Sequence, residues 1–374
     1  MKKIIIAILV FVAAWPVNGV LGKEETSFGP EDYDFSEIDG FMENNDSDFS
    51  FSDTVNEFYK GNSDAGFENI GKVIIEGLSG ELVAQKSVIF KIIAIGIIAA
   101  LMTNVTSVFL TGEISETGFY VVFMLLLNAL ITGYVSMAYM INKAMGLLID
   151  GMNVIVPVYV LSLGFASGAS SATAFYGLIS LIIAIIENLI KGFILPLINV
   201  FLLVGMINNL SGGNFLSRAY ELIKTIIEWM LKALLSVVIG MNVVRGMINP
   251  VVDGLKTSSF GKAVSMIPGI GTTLSGVSQI VLGTGILIKN SIGMAAMTAI
   301  IVLCFMPVIK SVAISIGYKL AGAALEPVSD KRVVNVINCV YEAAVLLTKT
   351  LLYSIVFFLL TIAIICNSTN QNPG

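Results

Sequence analysis

The 374-residue sequence contains no histidine. That removes catalytic triads, proton relays and zinc centres built on imidazole, and leaves any metal site to carboxylates or thiolates. Cysteine is nearly as scarce. Cys304, Cys339 and Cys366 lie inside apolar runs rather than at paired spacings, so they read as packed small residues and not as a disulfide framework. Only 13% of residues are charged, against roughly a quarter in an average soluble domain. With 21 Lys+Arg against 26 Asp+Glu the formal charge is -5, and the electrostatic footprint of a nucleic-acid binder is missing. No stretch supplies G-x-x-x-x-G-K-[ST], so a phosphate-cradling loop is absent from the sequence. The expectation is a protein without catalytic, cofactor-binding or metal-ligating residues.

What the chain has in abundance is apolar surface. Hydrophobic residues make up 56% and the mean hydropathy is +0.89, which predicts an integral membrane protein. Residues 1–22 combine Lys2 and Lys3 with an apolar core from Ile4 to Ala14 and then small residues, the pattern of a cleavable signal peptide. Residues 23–82 follow as an exported acidic arm carrying more than half of the 26 acids. Aromatics such as Phe28, Tyr33, Phe41, Phe51 and Phe58 are interleaved there, but aliphatic residues are few. A largely disordered arm, helical from about Val55, is expected.

Residues 83–374 form a polytopic helical membrane domain, giving an all-α fold. A crossing takes about 20 apolar residues, and runs of that kind fall at about 87–110, 118–141, 146–165, 172–191, 192–210, 226–246, 264–288, 291–317 and 340–366. Six to nine membrane segments are expected. Pro157, Pro196 and Pro307 fall within or near these runs, so some segments are expected to be broken or re-entrant.

Four constellations have physical content. Ser265, Gly269, Thr272, Gly276, Gln279 and Gly283 step by 4, 3, 4, 3 and 4, which places them on one helical stripe. Such a stripe suits a tight helix-packing seam, a pore lining, or contact with an identical subunit. In the segment 216–235, Arg218, Glu221, Lys224, Glu228 and Lys232 recur opposite an apolar face, as in a helix whose first half lies in the membrane interface before it turns into the membrane. Glu228 and Lys232, one turn apart in the favoured orientation, could neutralise each other there. Ionisable residues inside apolar runs include Lys91, Glu187, Lys191, Lys310, Lys319, Glu342 and Lys349. Of these, Glu187, Lys191, Lys310 and Glu342 are the candidates for an intramembrane function, because a charge at the helix centre costs about 2.5 to 3.5 kcal/mol to insert. Glu187 and Lys191 are also spaced as i,i+4 partners. The small-residue run 164–172 suits a helix-hairpin turn or a pore-lining loop.

Several strings carry a resemblance: Leu161-Ser162-Leu163 before the small-residue run, Ile190-Lys191 with Leu195-Pro196-Leu197, and Ile267-Pro268-Gly269-Ile270-Gly271. Others are Leu287-Ile288-Lys289-Asn290-Ser291-Ile292-Gly293, Pro307-Val308-Ile309-Lys310, and Tyr318-Lys319-Leu320 followed by Glu326-Pro327. In this order they resemble the stage III sporulation protein AE family of endospore-forming bacteria, over roughly Val83 to Leu360. The resemblance implies a membrane core subunit of a transport or secretion channel linking mother cell and forespore, needed for late forespore development. It implies residence in the mother-cell membrane around the forespore, with the N-terminal arm in the intermembrane space. It implies as partners other membrane and ring-forming proteins of that complex, a separate ATPase, the lipid bilayer and no nucleic acid. It brings no catalytic residues. A secondary transporter with its own substrate site and a structural membrane anchor for ring-forming partners remain as alternatives.

Overall fold

The computed structural model describes residues 29–45, 47, 49–61, 70–104, 112–167, 169–210, 216–240 and 271–368. All regular structure among them is helical. The expected signal peptide lies outside the described residues.

After a short 3-10 turn at Pro30–Asp32 come α1 (Ser36–Glu43), α2 (Phe51–Tyr59), α3 (Ile70–Asn104) and α4 (Gly112–Ser167). Helix α5 (Ala169–Ile185) passes through a π-helical stretch, Ile186–Ile194, into α6 (Leu195–Leu210). Helix α7 covers residues 217–240, and α8 (Gly271–Leu325) and α9 (Lys331–Ser368) complete the bundle.

The apolar runs join into fewer, longer helices than their punctuation suggests. The runs expected at 118–141 and 146–165 are one helix, α4, with Pro157 inside it. Pro307 likewise sits within α8. Proline removes one backbone hydrogen bond, and packed neighbours keep the helix going. Among the described residues five helices are long and apolar enough to cross a membrane: Val83–Met102, Thr117–Phe165, Ala172–Asn209, Gly283–Leu325 and Lys331–Cys366. The 49 residues of Thr117–Phe165 extend about 74 Å at 1.5 Å per residue, more than twice a hydrocarbon core of about 30 Å. At least one membrane interface therefore falls within such a helix rather than at its end.

Helix α8 packs on α2, α3, α4 and α9, while α9 packs also on α4 and α6. The most apolar stretch of α9 is 72% buried, against 22% for α3, so α9 is the core of the bundle and α3 its rim. At the far end of the α8–α9 hairpin a side chain on Gly96 of α3 would strike Leu325. The Ser329 hydroxyl donates to the Gly96 carbonyl there at 3.4 Å, and Arg332 stacks over Phe119 with its guanidinium carbon 4.3 Å from the ring centre.

Where the sequence suggests a largely disordered arm, its described part is folded onto the bundle. Phe35, Ile38, Met42, Phe51 and Val55 are buried, α1 lies against α4, and α2 against α8. Asp39 fixes the pair together, its Oδ1 accepting from the Phe51 N–H at 2.6 Å and the Ser52 N–H at 3.3 Å. Those are orphan donors of the first turn of α2, so a carboxylate from α1 serves as its cap. The arm has too few aliphatic residues for a core of its own, but its aromatics find one on α4: Tyr33 meets Phe165 edge-on at 6.2 Å. Burial, with Asp32 alongside, pushes the Tyr33 phenol up to about 12. Hydrogen bonds from Ser36 hold the exposed Asp34 carboxyl below the usual carboxylate range.

Candidate functional site

Charged side chains pair between α7 and α9. On α7, Lys224 and Glu228 face α9, where Glu342 and Lys349 carry the complementary signs. The Lys224 ammonium lies 3.0 Å from Glu342 Oε2 and the Lys349 ammonium 2.6 Å from Glu228 Oε1. Glu342 accepts a second hydrogen bond, from the Tyr220 hydroxyl, at 2.9 Å. The two rungs advance in the same direction along both chains, so α7 and α9 run parallel. Tyr220 is held by stacking on Phe201 of α6 with centroids 4.2 Å apart. Gly205 permits this approach, since a side chain there would strike both Cys339 Sγ and the Tyr220 ring.

This ladder revises one local pairing and gives one candidate residue a partner. Glu228 forms its ion pair with Lys349 across the helix interface and not with Lys232 on its own helix. Glu342 is likewise bound into a pair. The i,i+4 pair expected between Glu187 and Lys191 is also not formed: among the described residues the ion pairs are Lys224–Glu342, Arg332–Asp330 and Lys349–Glu228. Glu187 is exposed. Lys191 instead reaches α4, its ammonium 3.8 Å from where a Cβ on Gly146 would stand.

Glu187 and Lys191 both belong to the π-helical stretch Ile186–Ile194. Ile182, Ile186, Ile190, Ile194 and Ile198 are all buried, at a strict spacing of four. In an ideal α-helix each such step drifts by roughly 40°, which would carry the row around the helix. Widening the turns to i→i+5 hydrogen bonds keeps the five isoleucines facing the core, as in the Leu195 N–H bonded to the Ile190 carbonyl. Pro196, which cannot donate to an i-4 carbonyl, marks the return to α-helix. The spacing of four was a readable signal that periodicity templates for regular helices pass over.

Beside this stretch, α4 and α6 part to leave a groove of about 400 Å³ lined by Tyr134, Tyr139, Asn142, Lys191, Pro196, Asn199 and apolar neighbours. The Tyr134 hydroxyl donates to Asn199 Oδ1 at 2.7 Å and closes one wall.

A third group was not singled out as charged in the sequence. Lys289 is fully buried and donates to the Cys366 carbonyl at 3.0 Å. That carbonyl is in the last turn of α9, where the helix dipole favours a cation and carbonyls lack intrahelical donors. The Cys366 thiol donates to Asn290 Oδ1 at 3.2 Å. A methyl on Gly293 would stand 3.3 Å from the Tyr159 hydroxyl. The arrangement ties α8 to the end of α9 and is structural in character.

Of the stripe, Ser265 and Gly269 lie outside the described residues; Thr272, Gly276 and Gln279 belong to α8, and Gly283 is exposed with open space around it. Lys310 is half-buried on α8. The small-residue run joins α4 to α5, which pack together, with Ala172 Cβ 3.7 Å from where one on Gly164 would be. The three cysteines are buried and unbridged. Among the described residues no group of His, Cys, Asp and Glu is placed to hold a metal ion.

A sequence model described as stage III sporulation protein AE matches residues 49–369. Stage III sporulation protein AE of Bacillus subtilis (strain 168) is 22% identical over 317 residues, covering 84% of this chain and 79% of that protein. No solved structure matches the chain.

Proposed function

Since the chain belongs to the stage III sporulation protein AE family, and so has a role in sporulation, we propose that it is the membrane core subunit of a channel linking mother cell and forespore. The observation that carries this reading is the family match over residues 49–369, on a chain with five helices long enough to cross a membrane. The protein sits in the mother-cell membrane around the forespore. Its energy source is a separate ATPase, in keeping with a sequence that has no phosphate-binding loop. Ring-forming and other membrane proteins complete the complex.

A clean deletion is expected to block spore maturation after engulfment while vegetative growth stays normal. Normal numbers of heat-resistant spores from the deletion strain would overturn the reading, and slow growth in rich medium would favour a housekeeping transporter. Orientation is tested separately. A Ser47→Cys variant is expected to react with an impermeant maleimide in intact cells, and protection until lysis would place the arm on the other side.

A further inference from the structure

The groove beside Lys191 has features that the family relationship does not account for. Lys191 takes part in none of the ion pairs among the described residues. Its ammonium lies over Gly146, at the edge of a cavity of about 400 Å³. Asn142, exposed on the next turn of α4, offers a neutral donor to the same space, and exposed Lys143 adds a positive charge to that turn.

The level of the groove along the helices is informative. Helix α4 is polar at Asn142 and Lys143, and the α5–α6 rod is polar at Glu187, Asn188 and Lys191. The α7–α9 ion pairs occupy the same level, because Leu347, between Glu342 and Lys349, lines the groove. Two large amphipathic aromatics stand out towards solvent or lipid here: Tyr139, 73% exposed, and Trp229, 71% exposed, one residue from Glu228. A helix of about 74 Å must contain a membrane interface within its length, and Tyr and Trp concentrate at interfaces. This polar, aromatic-rimmed waist has the composition of such an interface.

We propose that the groove holds the headgroup of one anionic phospholipid, with the phosphate on the Lys191 ammonium, Asn142 donating to it, and an acyl chain along the apolar wall formed by Val135 and Leu203. The argument for this occupant is chemical complementarity: an unpaired cation, a donor amide, exposed apolar lining at Val135 and Leu203, and no carboxylate within ion-pair distance of Lys191 among the described residues. The proposal is independent of the channel reading.

Native mass spectrometry of the full chain, purified in detergent and titrated with phosphatidylglycerol or phosphatidylcholine, tests it. The wild type is expected to bind phosphatidylglycerol about fivefold more tightly, the contribution of one basic residue near the surface. Lys191→Gln should abolish that preference and Lys191→Arg retain it. Excess inorganic phosphate should leave it unchanged. Equal binding of the two lipids by the wild type, or an undiminished preference in Lys191→Gln, would overturn the proposal, and displacement by inorganic phosphate would reassign the site to a soluble anion. If Lys191→Gln does not purify, Asn142→Leu is read in its place: a weakened preference supports the site, and an unchanged one refutes it.

Discussion

Lys349 on α9 and Lys191 on the π-helical stretch have similar sequence surroundings, each a lone cation within an apolar helix. In the fold Lys349 lies 2.6 Å from Glu228, whereas Lys191 lies over a glycine at the mouth of an open groove. The difference is one of neighbours. Helix α7 runs parallel to α9 and presents Lys224 and Glu228 in the order that matches Glu342 and Lys349. Lys191 faces α4 at a level where that helix offers an amide and another cation. A paired charge in a half-buried seam fixes helix register, while an unpaired one is available to a ligand.

The comparison can be broken first at the packing that supports the ladder. Gly205→Leu would drive a side chain into Cys339 and the Tyr220 ring, and overpacking of this kind costs about 1–3 kcal/mol. A drop in the thermal midpoint of the purified protein is expected, and an unchanged midpoint would mean that Tyr220 is not held against α9 as described. Lys349→Gln should come next, at about 2 kcal/mol, because it removes a charge-assisted hydrogen bond and leaves Glu228 without its partner. The double exchange Glu228→Lys with Lys349→Glu should recover most of the loss. Failure to recover would show that the two residues are not a pair. Lys191→Gln is expected to change stability by less than about 0.5 kcal/mol, as for substitutions that break no internal contact. A loss as large as that of Lys349→Gln would reveal a hidden partner and remove the contrast between the two lysines.

The same contrast explains what could be read from the chain alone. A signal confined to one helix was legible: the apolar runs that became α3 to α9. The polar side of residues 216–235, expected to lie in a membrane interface, instead turns Lys224 and Glu228 onto α9. Partners brought from a distance were not legible. Glu228 has a neighbour of opposite sign four residues away, yet Lys349, 121 positions along the chain, is closer in the fold. Lys289 looked like part of an apolar string, and only the end of α9 supplies the carbonyl that accommodates it. Between these cases stands the row of isoleucines from Ile182 to Ile198, whose spacing of four was visible and marks the π-helical stretch.

The sequence by itself determined that this is an all-helical membrane protein of the stage III sporulation protein AE family, because hydropathy and the order of short motifs act locally and survive without knowledge of neighbours. Only the tertiary structure decided which charges are paired, where the arm finds a core, and where α4 and α6 separate. Each of these depends on which helix faces which, and helix faces in a bundle are selected by packing summed over many distant residues. Phe51 and Val55 show the reason most plainly: a segment with too few aliphatic residues to fold alone is buried at α8, because the surface that removes it from water is supplied by residues more than two hundred positions away.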